Sequence, residues 1–154
     1  MTVRLSLMRG WFAAMLLGGW AAAGLAQDGP VFRDIDDVAI LGYDTVAYFT
    51  MSEPVKGAAD QSHEWLDAKW QFAKPSHREL FMSDPEKYAP RFGGNCTMGL
   101  ATGFREAVDP TVWTIIDGRL YLFQNREKLE EFDENPERYL AEAEASWRRV
   151  RRLQ

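Results

Sequence analysis

The 154-residue chain carries 18 basic and 23 acidic residues, a formal charge of −5, with a single cysteine and two histidines. An acidic chain argues against a nucleic-acid partner, which would want a basic stripe against the phosphates. A lone thiol cannot close an internal disulfide, so Cys96 is buried, paired with another molecule, or bound to something.

The N-terminus reads as a signal peptide over residues 1–26. Arg4 and Arg9 precede the uncharged run WFAAMLLGGWAAAGLA (11–26), which falls short of the ~20 apolar residues of a membrane span. It closes on Gly24-Leu25-Ala26, small residues suited to cleavage before Gln27. The expectation is an exported protein, periplasmic or secreted, with no integral span in the mature chain. Removing two arginines and no acids takes the formal charge from −5 to −7. Residues 27–38 read as a leader. Its Asp34, Asp36 and Asp37 lack the spacing of a hard-cation loop and read as solvated. Residues 39–154 are enough for one domain with a modest core.

An internal repeat organises that domain. WQFAKPSHRELFMSDPEKY (70–88) and YLFQNREKLEEFDENPERY (121–139) align without a gap at an offset of 51. They share Phe72/Phe123, Phe81/Phe132, Pro85/Pro136 and Tyr88/Tyr139. Each copy reads as strand, short helix, bend, second helix: Asp84 or Asn135 caps the second helix, proline takes its first position, and the tyrosine packs back on the phenylalanine. Between TVWTII and RLYLF, Asp117-Gly118 is a strong two-residue hairpin turn. The offset then places the first turn at Leu66-Asp67, which sets Glu64 opposite Lys69 and His63 opposite Trp70. His63 thus shares the core face with Trp65, Ala68, Trp70 and Phe72. The second hairpin is apolar on both faces, which predicts a central place in the sheet. The expected fold is α+β: a small antiparallel sheet of two β-hairpins, short helices and a longer C-terminal helix, built as a duplicated hairpin–helix unit.

His77 falls in Ser76-His77-Arg78-Glu79, which fits a capping box and puts His77 at the first helical position, facing water. From Pro136 to about Leu153, Tyr139, Leu140, Ala143, Trp147 and Val150 repeat at helical spacing. Arg148, Arg149, Arg151 and Arg152 crowd its end, either complementing the helix dipole or forming a docking patch for an acidic partner. The loop RFGGNCTMGL (91–100), which holds Cys96, follows the first copy. The second copy continues into helix there, so the loop reads as something only the first copy has.

The segments AILGYDTVAYFTMSEPVKG (39–57), EWLDAKWQFA (64–73), LFMSDPEKYAPRFGGNC (80–96) and DPTVWTIIDGRLYL (109–122) together resemble the small exported YHS-domain proteins. The resemblance runs from about Ala39 to Trp147. It implies a compact α+β unit and a metal-associated, copper-associated accessory role beside metal-handling proteins, and it does not imply a known catalytic reaction. The chain departs from the pattern at Leu66-Asp67, where Asn-Gly is usual, and matches the multi-cysteine relatives only at Cys96.

Cys96 and Met98 are soft donors that, with the imidazole of His63, suit Cu(I) better than harder ions. A two- or three-coordinate site of Cys96, His63 and Met98 is the candidate metal centre, and a four-ligand zinc site is not expected. The plainer alternative makes Cys96 a small buried hydrophobe and Met98 a gap-filler. No G-x-S-x-G, H-E-x-x-H or phosphate loop occurs, and no catalytic residue is assigned. The expectation is a non-catalytic, exported soft-metal accessory or carrier. Two alternatives stand beside it: a non-metal interaction module using the aromatic hairpin face and the arginine-rich end, and a thiol redox protein acting through Cys96.

Overall fold

The computed structural model describes residues 31–152, so the signal-peptide reading of residues 1–26 lies outside the described residues. Strands β1 (Ala58–Trp65) and β2 (Ala68–Phe72) make one hairpin, β3 (Asp109–Ile116) and β4 (Arg119–Phe123) another. The first turn is Leu66-Asp67, at φ 50° and 56°, and the second Asp117-Gly118, at φ 51° and 71°. Two consecutive left-handed residues match the twist of the flanking strands, which is why the register selects this turn even without asparagine or glycine. Glu64 lies opposite Lys69 and His63 opposite Trp70, as the alternation requires.

Helices α1 (Ala47–Thr50), α2 (Pro75–Ser83), α3 (Pro85–Tyr88), α4 (Thr97–Ala101), α5 (Arg126–Glu134) and α6 (Pro136–Arg152) complete an α+β fold. The duplication is visible in the backbone. Both hairpins carry an irregularity at the same place, between Ala58 and Ser62 and between Asp109 and Trp113. The bends after α2 and α5 have nearly the same angles, φ −152°, ψ 74° at Asp84 and φ −155°, ψ 70° at Asn135. Each side chain caps the next helix, accepting from Lys87 N at 3.2 Å and from Arg138 N at 3.3 Å. Tyr139 packs back on Phe132, with ring centroids 6.5 Å apart, whereas Tyr88 turns to Phe49, at 5.5 Å.

The repeat also reaches further upstream than the sequence alignment did, and this corrects the reading of the Cys96 loop. Ile40, Leu41 and Gly42 are left-handed at φ 52°, 52° and 76°, and Phe92, Gly93 and Gly94 repeat them at 62°, 60° and 79°. A short helix follows in each case. The N–H of Tyr43 bonds Ile40 O and that of Asn95 bonds Phe92 O, both at 3.1 Å. The hydroxyls of Thr50 and Thr102 bond back to Val46 O and Met98 O. RFGGNCTMGL therefore holds the opening turn of the second copy and the counterpart of ILGYDTV, at an offset of 52. The first copy has one residue more between this turn-helix and its hairpin, residues 51–57 against 103–108, which brings the offset to 51 further on. Gly94 is required there. It is left-handed, and a Cβ on it would lie 2.1 Å from Ile40 Cδ1.

Two further expectations are corrected. The second hairpin is not central in a larger sheet; among the described residues each hairpin is its own two-stranded sheet. Its apolar faces are covered by helical elements instead, with β4 packed on the 91–94 turn, α3, α4 and α5. His77 is not at a wet helix start either. Pro75 takes the first position of α2 after Lys74, Ser76 caps nothing, and His77 is buried on the same face as Phe81 four residues on.

One core cluster takes residues from both copies. In its first half Phe81 is fully buried against Trp65, Trp70 and Phe72, at centroid separations of 5.7, 4.9 and 5.1 Å. Truncating a phenylalanine so placed costs about 3–5 kcal/mol. The acidic residues 34–37 are largely solvated, as expected, but their segment is pinned. Asp34 Oδ1 accepts from Asp36 N and Val38 N, and residues 37–39 exchange backbone hydrogen bonds with Lys69 on β2.

Candidate functional site

Cys96 stands immediately before α4 and is fully buried. Its Sγ accepts one weak bond, from Gly99 N at 3.5 Å. Met98, two residues on, is buried in the same core cluster. His63 lies in the other copy, half-buried on β1, its ring edge-on to Phe81 at 6.4 Å. The structure thus joins Cys96 and Met98 in one buried turn, which packs through α4 on α6 and β4, while β1 packs on β2 and α2. Among the described residues no group of three or more His, Cys, Asp or Glu side chains is arranged to hold a metal ion.

The histidine set aside in the sequence makes the more organised polar group. Asp44, fully buried, sits in the first copy where Cys96 sits in the second. Its Oδ1 accepts from Val46 N at 3.0 Å and Ala47 N at 3.3 Å. Its Oδ2 accepts from Ala73 N at 2.8 Å and lies 2.6 Å from His77 Nδ1. With Asp44 ionised, its oxygens accept in every one of these contacts, which assigns the proton of His77 to Nδ1. The other ring nitrogen, Nε2, lies 3.1 Å from the hydroxyl of Thr50, an exposed residue at the end of α1. Sequence reasoning missed this because the capping-box match displaced the helix start by two residues. The available signal was the spacing of His77 to Phe81.

A second feature is a cleft of about 590 Å³ between the first hairpin turn and α6. Its walls carry Trp65, Phe92 and Trp147 together with Arg91, Arg119 and Arg151, with Val31 also in the lining. Phe92 and Trp147 meet edge-on at 6.2 Å, and the Arg91 guanidinium lies 5.8 Å from the Phe92 ring. Arg91 is held by Glu144 from α6, its Nε 2.9 Å from Oε1. Arg119, exposed, donates to the backbone oxygen of Glu86 at 3.3 Å. The acidic residue in the lining is Glu86. The cleft is thus cationic on an acidic protein, with aromatic walls.

Compared with protein-family models, with curated proteins and with solved structures, the chain gives no match in any of the three. The likeness to YHS-domain proteins therefore stands on the motifs in the sequence. No helix among the described residues is long and apolar enough to cross a membrane.

Proposed function

We propose that the protein is an exported, non-catalytic binding module whose cleft takes an acidic segment with an apolar or aromatic side chain from a protein partner. The observation that carries this is the convergence of Trp65 and Trp147 with Arg91, Arg119 and Arg151 on one cleft. A cleft of this volume, its aromatic and charged walls in about equal measure, falls within the size range of ligand sites. Cationic groups in a concave surface focus potential and raise the local concentration of anions against the repulsion of an acidic body. The test is a titration of the mature protein with short peptides pairing Asp or Glu with Trp, Phe or Leu, followed by tryptophan fluorescence. Saturable binding that weakens with salt is expected, and reversed-charge peptides should not bind. Failure of every acidic peptide to saturate would end this reading. Saturation by a small aromatic carboxylate alone would move the partner from protein to metabolite.

A soft-metal carrier is the second reading, supported by the motif resemblance and by the thiol of Cys96 and thioether of Met98 sharing one buried turn. Cu(I) titration under reducing conditions, with Cys96→Ser and His63→Ala beside wild type, tests it. Stoichiometric binding lost in Cys96→Ser is the expected signature, and absence of binding in wild type removes the reading.

A further inference from the structure

The two copies act as an internal control on the Asp44–His77 pair. Burying a carboxylate and an imidazole carries a desolvation cost unless hydrogen bonds offset it. If the fold needed that pair, the second copy would need it too. It does not: the same left-handed turn and short helix form around Cys96, whose thiol makes one bond at 3.5 Å. The counterpart of His77 is Lys128, which instead pairs with Glu106. The backbone of this unit therefore forms without a buried acid–imidazole pair, and the pair in the first copy calls for another explanation.

Its geometry supplies one. The carboxylate of Asp44 is fixed by three backbone N–H groups and orients His77 through Nδ1. Nε2 then faces the hydroxyl of exposed Thr50 at 3.1 Å. That hydroxyl lies equally close, 3.1 Å, to Val46 O, so its proton has two acceptors within reach. This is the order acid, imidazole, hydroxyl, in which the base can take the proton as the oxygen attacks. In the second copy the matching Thr102, among the described residues, bonds to helix carbonyls alone, Met98 O at 3.3 Å and Gly99 O at 2.9 Å.

We propose that Thr50 is a covalent acyl-acceptor site activated by His77, with Asp44 as a positioning residue, taking an acyl group from an activated ester or thioester. Thr50 Oγ1 attacks the acyl carbonyl carbon, the new C–O bond forms, and the hydroxyl proton passes to His77 Nε2. The C–O or C–S bond to the leaving group breaks, and the departing alcoholate or thiolate takes the proton back from Nε2. The products are O-acyl-Thr50 and a free alcohol or thiol. Asp44 steadies the transient imidazolium through the Nδ1 bond.

The experiment uses 4-nitrophenyl acetate as the acyl donor on the mature protein, with peptide mapping by mass spectrometry to read acetylation at each site over time. Thr50 is expected to label about a hundredfold faster than Thr102, the scale of general-base assistance. Thr50→Ser should keep the label and Thr50→Val lose it; both sit on the surface. His77→Gln, checked for native circular dichroism, should slow labelling at Thr50 by a similar factor. Labelling of Thr50 no faster than Thr102, or at the wild-type rate in a folded His77→Gln variant, overturns the proposal. Should His77→Gln not fold, the Thr50 to Thr102 ratio in wild type decides alone.

Discussion

Thr45 and Thr97 occupy matching places in the two copies and differ by one hydrogen bond. The hydroxyl of Thr97 donates to Leu122 O at 3.2 Å, whereas that of Thr45 is buried with no hydrogen-bond partner among the described residues. Replacing a bonded buried hydroxyl by a methyl leaves its acceptor stranded, while replacing an unbonded one removes a desolvation cost. Thr97→Val is therefore expected to destabilise by about 1–2 kcal/mol and Thr45→Val to be neutral or stabilising by up to ~1 kcal/mol, both read from urea unfolding. Tyr48 gives a pH test. Its hydroxyl donates to Pro110 O at 2.8 Å, and burial, with Tyr43, Asp109 and Asp44 adding to it, raises its ionisation above the ordinary 10.0. The folded state thus favours the protonated phenol. That contribution is complete below pH 10 and is lost as the pH climbs above it. Tyr48→Phe should cost about 1 kcal/mol at neutral pH through the lost hydrogen bond and flatten the fall in stability above ~pH 10. Tyr121 is raised in the same direction by burial, so some alkaline decline should remain. Urea midpoints measured across that range check both statements.

At the level of elements, the first hairpin turn is the place where sequence and geometry disagree. Leu66 and Asp67 hold left-handed angles that asparagine and glycine adopt at lower cost, and Leu66 is exposed with no packing role in the core. Leu66→Asn with Asp67→Gly should raise stability by about 0.5–1 kcal/mol, seen as a higher thermal midpoint; an unchanged or lowered midpoint contradicts the turn assignment. The hairpins, their register and the helices begun by Pro85 and Pro136 were legible because each rests on local rules that the repeat reported twice. The opening turn of the second copy was not. Only Gly42/Gly94, Thr45/Thr97 and Thr50/Thr102 persist in it, and the one extra residue within 51–57 of the first copy breaks the register on which the gapless match depends. His77 was misplaced for a different reason: Pro75 and Ser76 are both good helix-start signals, and backbone geometry favoured the proline.

Across the whole molecule, the copies are interlocked and neither is complete alone. Tyr48 of the first packs edge-on to Trp113 of the second at 5.1 Å and bonds the backbone at Pro110. Phe32 N bonds Gly93 O, and α6 lies on α4. A single two-stranded hairpin with short helices has too little core to fold by itself. A fragment of residues 31–89 should accordingly show no cooperative thermal transition by circular dichroism, and a sharp transition would mean that the first copy is self-sufficient. The candidate sites were legible only in part for the same reason. Cys96 and Met98 stood out as neighbouring soft donors, with their geometry open in a glycine-flanked loop, but the cleft draws on residues from Val31 to Arg151, and nothing local announces that Trp65, Arg119 and Arg151 converge. The aromatic hairpin and the arginine-rich end were each visible in the sequence, and their shared cleft needed the fold.

That convergence is the centre of the account, and calorimetric titration of the tightest acidic peptide against wild type and the Arg119→Glu/Arg151→Glu double variant tests it most directly. Both arginines are exposed, so the variant should keep its fold and thermal midpoint. The predicted result is a loss of affinity of at least tenfold in the variant, with a smaller loss as salt is raised for wild type. Equal affinity for the two proteins at low salt would contradict the assignment of the cleft.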